Sequence, residues 1–356
     1  MKKIYLDNAS TTRVSKEVVK EIAKYFTYEY GNPGSLHYMG ESALKAINSV
    51  RVKIAREIGA KPSEIYFTSG ATESNNLALK GYGKKIVISS IEHPSVRECA
   101  NVLGYSEINV DEGGLIDFRE LEKKAKGFVS VIHANNIIGV VQDLKKIGII
   151  CKRKRIIFHT DATQSFGKLR INVREMNIDL LSASAHKIGG PKGVGFLYVR
   201  ERIKLKPLIH GGGQERGLRS GTENVPGIMG FGKALEIIKK VDSSKIKRQR
   251  DYLIEELEKL GGKINGSVTN RLYNNIHVSF NVNAENLIYY LSNKGIYVSA
   301  GSACDSKKEK EDHVLKAINL KKAEIDGSIR ISLSDDLKNS DLKRVVKEIR
   351  DYLRKV

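Results

Sequence analysis

A chain of 356 residues, 40% of them hydrophobic and 29% charged, with no low-complexity tract, reads as one large globular unit plus a smaller one rather than a disordered or fibrous protein. Its three cysteines, Cys99, Cys151 and Cys304, make no Cys-x-x-Cys pair, which argues against a disulfide framework or a cysteine zinc site. The formal net charge of +20 is spread along the chain without a Cys/His finger, an RNA-recognition signature or aromatic interleaving, so a solvated basic surface is expected rather than direct nucleic-acid recognition.

In chain order, the opening "MKKIYLDNAS" has two lysines but no apolar stretch of signal-peptide length, and no later run approaches a membrane span. A cytoplasmic protein without membrane contact is expected. Short apolar runs then alternate with helical patterns: "EIYFT", "ESNNLALKGYG", "KIVIS", "FVSVIHA", "RIIFHTDA", "IDLLSASA" and "GVGFLYVR". Strands separated by helix-length segments predict βαβ units around a buried, mainly parallel sheet with helices on both faces. Two long helices follow at "GIMGFGKALEIIKKV" and "KRQRDYLIEELEKL". The last hundred residues change character, with "NIHVSF", a helix at "AENLIYYLSNK", strands at "IYVSA" and "SIRISLS", and a terminal amphipathic helix. The expected division is a large α/β domain over 13–245 and a small C-terminal α+β domain over 246–356, which the N-terminal segment 1–12 joins.

Five stretches carry chemistry. "YFTSGATESNNLAL" passes from a strand through small residues into a helix, whose first amides, at Ala71 and Thr72, suit a phosphate. An ordinary capped connection is the alternative, and the missing Gly-Lys-Ser/Thr rules against a Walker A loop. "IIFHTDATQSFGK" brings His159, Asp161 and Gln164 to a strand end, where ligands of α/β sheets collect. His159-x-Asp161 reads as half a metal site, as a helix cap, or as a carboxylate paired with a protonated ring nitrogen. In "SASAHKIGGPKGVGFLYV", Lys187 lies among alanines and glycines behind Ser184 and His186, a setting for an amine that forms a Schiff base. "HGGGQERGLRSGTENVPG" is a glycine-rich loop carrying Arg216, Arg219 and Thr222. "GSAC" places Cys304 among small residues just before the charged "DSKKEKEDH".

Taken together, "YLDNASTT", "FTSGATESNNLAL", "EHPSV", "HANNIIGVVQD", "DATQSFGKL", "SAHKIGGPKGVGFLYV", "HGGGQERGLRSGT", "GSAC" and "SIRISLS" fall in the order found in cysteine desulfurases of the NifS/IscS type. That family sits within the class V aminotransferase group of pyridoxal-phosphate enzymes, and the resemblance covers almost the whole chain. It implies the fold type I architecture of such transferases and pyridoxal 5'-phosphate as cofactor. By the same resemblance Lys187 is the Schiff-base lysine, Asp161 the partner of the pyridinium nitrogen, and His93 the residue stacked on the ring. Asn136 and Gln164 match positions that bind the phenolic oxygen, while Ala71, Thr72, Ser184 and His186 match the phosphate cradle. Thr222 matches a residue that reaches the phosphate of a second subunit, which implies a homodimer. Asn136 and Arg330 match the substrate contacts, with the Arg330 guanidinium suited to a carboxylate.

The implied reaction converts L-cysteine to L-alanine and leaves the sulfur on Cys304 as a persulfide, destined for an acceptor protein of iron–sulfur cluster assembly or tRNA thiolation. An ordinary thiol is only a few per cent ionised near neutrality, so a base such as His93 or the substrate itself is expected to raise that fraction. No intrinsic metal is expected; Cys304 is the one candidate for a transient iron–sulfur cluster contact. An aminotransferase or a selenocysteine lyase is the rival within the same fold, and an inactive nucleic-acid binder the rival outside it. The chain departs from the family pattern at Ile137, Ala185, Ser334 and Asp335. The residues after Cys304 also depart, and their mixed charges predict a mobile carrier loop over 305–312 that docks an acidic partner.

Overall fold

The computed structural model describes residues 2–300 and 313–356, so Cys304 and the predicted carrier loop lie outside the described residues. A short strand β1 (Ile4–Tyr5) is followed by β2 (Ile65–Thr68), β3 (Ile86–Ser89), β4 (Tyr105–Ile108), β5 (Phe128–Ser130), β6 (Ile157–Asp161), β7 (Leu180–Ser184) and β8 (Gly195–Val199). β2 to β8 form one seven-stranded sheet in the order β2-β8-β7-β6-β5-β3-β4. It is parallel except that β8 runs antiparallel to both of its neighbours.

Alternation along these strands shows why the runs are apolar throughout. Val87, Val129, Phe158 and Leu181 face one apolar cluster together with the helices Tyr38–Ile58, Leu144–Arg153 and Val225–Ile238. Ile86, Ile88, Phe128, Leu180 and Leu197 face a second cluster under the helices Ala71–Tyr82 and Pro94–Leu103. Successive side chains point to opposite faces, so a sheet covered on both sides favours hydrophobic residues on both.

The chain continues with β9 (Lys263–Ile264), β10 (Asn275–Ser279), β11 (Ile296–Tyr297), β12 (Ser299–Ala300) and β13 (Ser328–Ser332). Four of these form an antiparallel sheet in the order β12-β13-β10-β9. The helices Ser243–Lys259, Ala284–Asn293 and Asn339–Leu353 cover it, and Ile4 and Leu6 are buried in the same core. Ile4 belongs there because β1 pairs in parallel with β11.

Two details differ from the sequence reading. Tyr105–Ile108 forms the edge strand β4, which its mixed "YSEI" composition hid. The run "IYVSA" divides at Val298, where the chain leaves β1 and takes up β13 as its partner.

Candidate active site

The carboxyl edge of the large sheet gathers the expected residues. β2 leads to Gly70 and the helix Ala71–Tyr82, β3 to His93, and β5 to the loop of Asn136. β6 ends on Asp161 and β7 on Ser184. This is the edge at which open α/β sheets bind ligands.

Gly70 makes the first element. Its φ of 153° is one that residues with a Cβ rarely adopt, and a Cβ built there would sit 3.7 Å from Ser184 Oγ. No side chain caps the helix that follows. Its first amides therefore lack a side-chain acceptor, with the dipole's positive end behind them. Ala71 and Thr72 open this helix and Ser184 ends β7 next to the Gly70 turn, a setting that suits an anion. His186 stands beside it, its Nδ1 3.1 Å from Thr11 Oγ1. Burial, then Lys187, Lys192 and Lys168, push its imidazole down to about 4, so it enters this site neutral.

Asp161 is only 2% exposed. Its Oδ1 accepts the Thr163 amide at 2.9 Å and its Oδ2 accepts Asn75 Nδ2 at 2.7 Å. Among the described residues no cation pairs with it. A carboxylate held in place by neutral donors is oriented to receive a charge-assisted hydrogen bond, and a protonated ring nitrogen is a group that could supply one. The half-metal reading of His159-x-Asp161 fails on geometry. His159 gives one ring nitrogen to Ser130 Oγ (2.8 Å) and the other to Ser182 Oγ (3.0 Å), inside the sheet. No cluster of metal-ligating side chains occurs among the described residues.

Lys187 follows β7 on a short 3-10 turn, and its Nζ donates to the carbonyls of Ala9 and Ser10, both at 2.7 Å. Gln164 Nε2 donates to the same Ala9 carbonyl at 2.8 Å. Lys187 also lines a cleft of about 840 Å³ together with Asn8, Thr11, Lys168 and Asp335. Arg330, on β13, donates through Nη2 to Asp7 Oδ1 (2.7 Å) and Ser10 Oγ (2.6 Å), and through Nη1 to the Asn136 carbonyl (3.0 Å). Its Nε is buried without a partner among the described residues, leaving an N–H for an incoming acceptor. The Asn136 side chain is half-buried and makes no hydrogen bond among the described residues. The segment Asp7–Ser10 thus touches Lys187, Gln164 and Arg330; only the carboxylate at position 7 in an otherwise small, neutral stretch hinted at it.

Thr222 stands apart: it is exposed and bonds to none of these residues. Its loop is pinned by Glu215, which Arg51 grips through two bonds of 2.7 and 2.8 Å, and by Arg219, which pairs with Glu73. Cys99 and Cys151 are both buried free thiols, and burial pushes Cys151 up to about 12. Neither has the character of a nucleophile. Ile137 lies in an apolar cluster with Val314 and Leu315, which explains why an acidic side chain is out of place there.

A lysine beside the Asp7–Ser10 segment, a buried carboxylate and an uncapped helix start on the carboxyl edge accord with a pyridoxal-phosphate enzyme of fold type I. Comparison with known proteins agrees. Residues 4–345 match the family model for class-V aminotransferases. The chain is 43% identical over 375 residues to a cysteine desulfurase IscS from Methanosarcina thermophila, covering 100% of this chain and 93% of that one. A solved structure of a NifS-like protein superimposes with a TM-score of 0.93 at 38% identity, over all of both chains. The structure of SspA in complex with cysteine gives a TM-score of 0.85 at 38% identity, covering 94% of this chain and 99% of that one. The chain belongs to the class-V aminotransferase family and, within it, to the cysteine desulfurases.

Proposed function

We propose that this enzyme takes the sulfur of L-cysteine onto Cys304 and releases L-alanine, as a homodimer in the cytoplasm that supplies an acceptor protein for iron–sulfur clusters or tRNA thiolation. The observation that carries the reading is the buried carboxylate of Asp161, which pairs with no cation among the described residues, at the strand edge that also leads to Lys187. Ala71, Thr72, Ser184 and His186 would hold the phosphate of the cofactor, Asp161 its ring nitrogen, Asn136 and Gln164 its phenolic oxygen, and His93 its ring face. When bound, the cofactor supplies an electron sink that stabilises negative charge on the substrate carbons.

The chain's own residues do the rest. Arg330 binds the substrate carboxylate through its fork, with Asn136 beside it, and fixes which bond is presented. Lys187 Nζ, withdrawn from the carbonyls of Ala9 and Ser10, takes the proton from the substrate's α-carbon. Cys304 Sγ, as thiolate, then attacks the substrate sulfur. A sulfur–sulfur bond forms, the carbon–sulfur bond breaks, and its electron pair stays with carbon, which is protonated to the methyl group of alanine.

Dimerisation is supported by the exposed aromatic and apolar side chains Phe26, Tyr28, Tyr30, Leu36 and Tyr38, which cluster in sequence and gain by burial against a second copy. The exposure of Thr222 accords with a role at the partner's phosphate. Two free buried thiols suit a reducing compartment. The division into a large domain (13–245) and a small one (246–356, with 1–12) is supported by separate cores that run from Val18 to Leu235 and from Ile246 to Tyr352. The test is to add L-cysteine and measure alanine and sulfide together, in the wild type and in Lys187→Ala. Stoichiometric alanine and sulfide from the first, and neither from the second, are expected. Turnover by Lys187→Ala would overturn the assignment.

A further inference from the structure

A chain of three hydrogen bonds joins Asp161 to His93, and no motif announces it. Asn75 Nδ2 gives one hydrogen to Asp161 Oδ2 (2.7 Å) and the other to Ser95 Oγ (2.8 Å). Ser95 Oγ lies 2.8 Å from His93 Nδ1, within reach to donate its own hydrogen there. The Ser95 amide points at the same nitrogen from 3.1 Å. The orientation of Asn75 is fixed, because turning the amide over would set its oxygen against a carboxylate oxygen. Asn75 Oδ1 is buried with no donor among the described residues. Leaving an acceptor unsatisfied is unfavourable, so packing does not account for an asparagine here, whereas its two donated hydrogens do.

Because the Ser95 amide donates to Nδ1, that nitrogen holds a lone pair and not a hydrogen, and the Ser95 hydroxyl can then donate to it as well. A neutral imidazole then carries its hydrogen on Nε2, which has no partner among the described residues. We infer that Asn75 and Ser95 are positioning residues that hold His93 as the Nε2–H tautomer, so that the ring offers the substrate site a hydrogen-bond donor and does not accept the proton of the Cys304 thiol. This rests on the proposed reading of the site and deepens it: His93 acts as a donor, and the thiol proton leaves by another acceptor.

The surroundings favour the same state. Burial is the largest influence holding the imidazole below its ordinary value; Lys187 and His313 add to it, and only Asp161 opposes. His93 is also the N-cap of the helix Pro94–Leu103, whose positive end lies against Nδ1.

Nitrogen NMR of the histidine-labelled holoenzyme reads the tautomer directly, with the His93 signals assigned by their loss in His93→Gln. The Nε2–H form is expected at neutral pH, whether or not L-cysteine is the substrate, so this arm stands apart from the desulfurase reading. An Nδ1–H signal would overturn the inference. Asn75→Leu frees Ser95 to accept, and the His93 titration should move up toward its ordinary midpoint, while Ser95→Thr should leave it in place. An unmoved midpoint in Asn75→Leu counts against the inference. Should Asn75→Leu fail to fold, the wild-type spectrum and a kinetic pair still decide. Glutamine donates but is no base, so His93→Gln should turn over L-cysteine about tenfold faster than His93→Ala. Equal losses, of the ~100-fold or more that a general base contributes, would make His93 a base after all.

Discussion

Arg330 and Asp7, 323 positions apart, meet at 2.7 Å, and the pair ties β13 to the segment that also receives Lys187. The guanidinium is therefore aimed before substrate arrives, and a carboxylate finds its donors already in place. Substituting Arg330→Lys keeps the charge and removes the fork. Hydrogen bonds to charged groups contribute about 1.5–3 kcal/mol, so kcat/KM for L-cysteine should fall about tenfold or more while the visible absorption of bound cofactor is unchanged. Asp7→Asn should weaken the aim and raise KM more than it lowers kcat. Steady-state kinetics on both variants would refute this if kcat/KM stayed at the wild-type value.

Asp161→Ala is expected to lose activity far more than it loses cofactor. One charge-assisted hydrogen bond, about 1.5–3 kcal/mol, is removed from binding, whereas the phosphate cradle and Lys187 remain. Without the anion the ring nitrogen has no group that keeps its proton. Cofactor content by absorbance and alanine production by chromatography separate the two effects. A variant that keeps its rate would reduce Asp161 to a structural anchor for the Thr163 and Asn75 bonds.

Cys304→Ala should bind both cofactor and L-cysteine, seen as the same spectral change on cysteine addition as in the wild type, and yet release no alanine. On the proposed reading the thiol is needed only after L-cysteine is bound, and Cys99 and Cys151, buried as they are, offer no substitute. Desulfuration at the wild-type rate would place the nucleophile elsewhere.

Glu92 makes a pH-dependent prediction. Burial pushes its carboxyl up to about 8, and the Asp161 charge adds to the shift against bonds from Ser89 and the Ile132 amide. The folded protein thus keeps a proton that the unfolded chain releases above about 4.5. Stability from this group is present at acid pH and is lost as pH rises through the window toward 8, with a limiting slope of about 1.4 kcal/mol per pH unit. Glu92→Gln imitates the protonated form and should flatten that slope. Urea midpoints at two pH values within the window test it, and parallel slopes for the two proteins would sink it.

Much of this was legible in the sequence, and the exceptions have a common cause. The strands around "KIVIS", "RIIFHTDA" and "IDLLSASA" announced themselves because a doubly covered sheet favours largely apolar runs. Lys187, Asp161 and the turn before Ala71 stood out because each draws notice locally: a lysine among small residues, an acid ending a strand, small residues between a strand and a helix. Asn75 and Ser95 violate nothing locally, and Asp7 only in being a charge within a small, neutral stretch. Their roles arise only when a helix, a neighbouring loop and a distant strand are brought together, as at the 2.7 Å contact between Asn75 and Asp161. The divided strand at Val298 was hidden for the same reason, since a change of partner leaves no trace in hydrophobicity.

The parallel pairing of β1 with β11 sets an order of events during synthesis. Ile4 leaves the ribosome long before its partner Ile296 exists. At about 5–20 residues per second the wait is roughly 15–60 s. Throughout it, the carbonyls of Ala9 and Ser10 lack the framework that later presents them to Lys187, and the Arg330 that Asp7 holds has not been made. The large sheet can form in that interval, but the substrate end of the pocket closes only when the last quarter of the chain arrives. A nascent chain interrupted before β13 would therefore be a folded sheet with an unfinished site, able to gather an anion at Gly70 and unable to orient a cysteine.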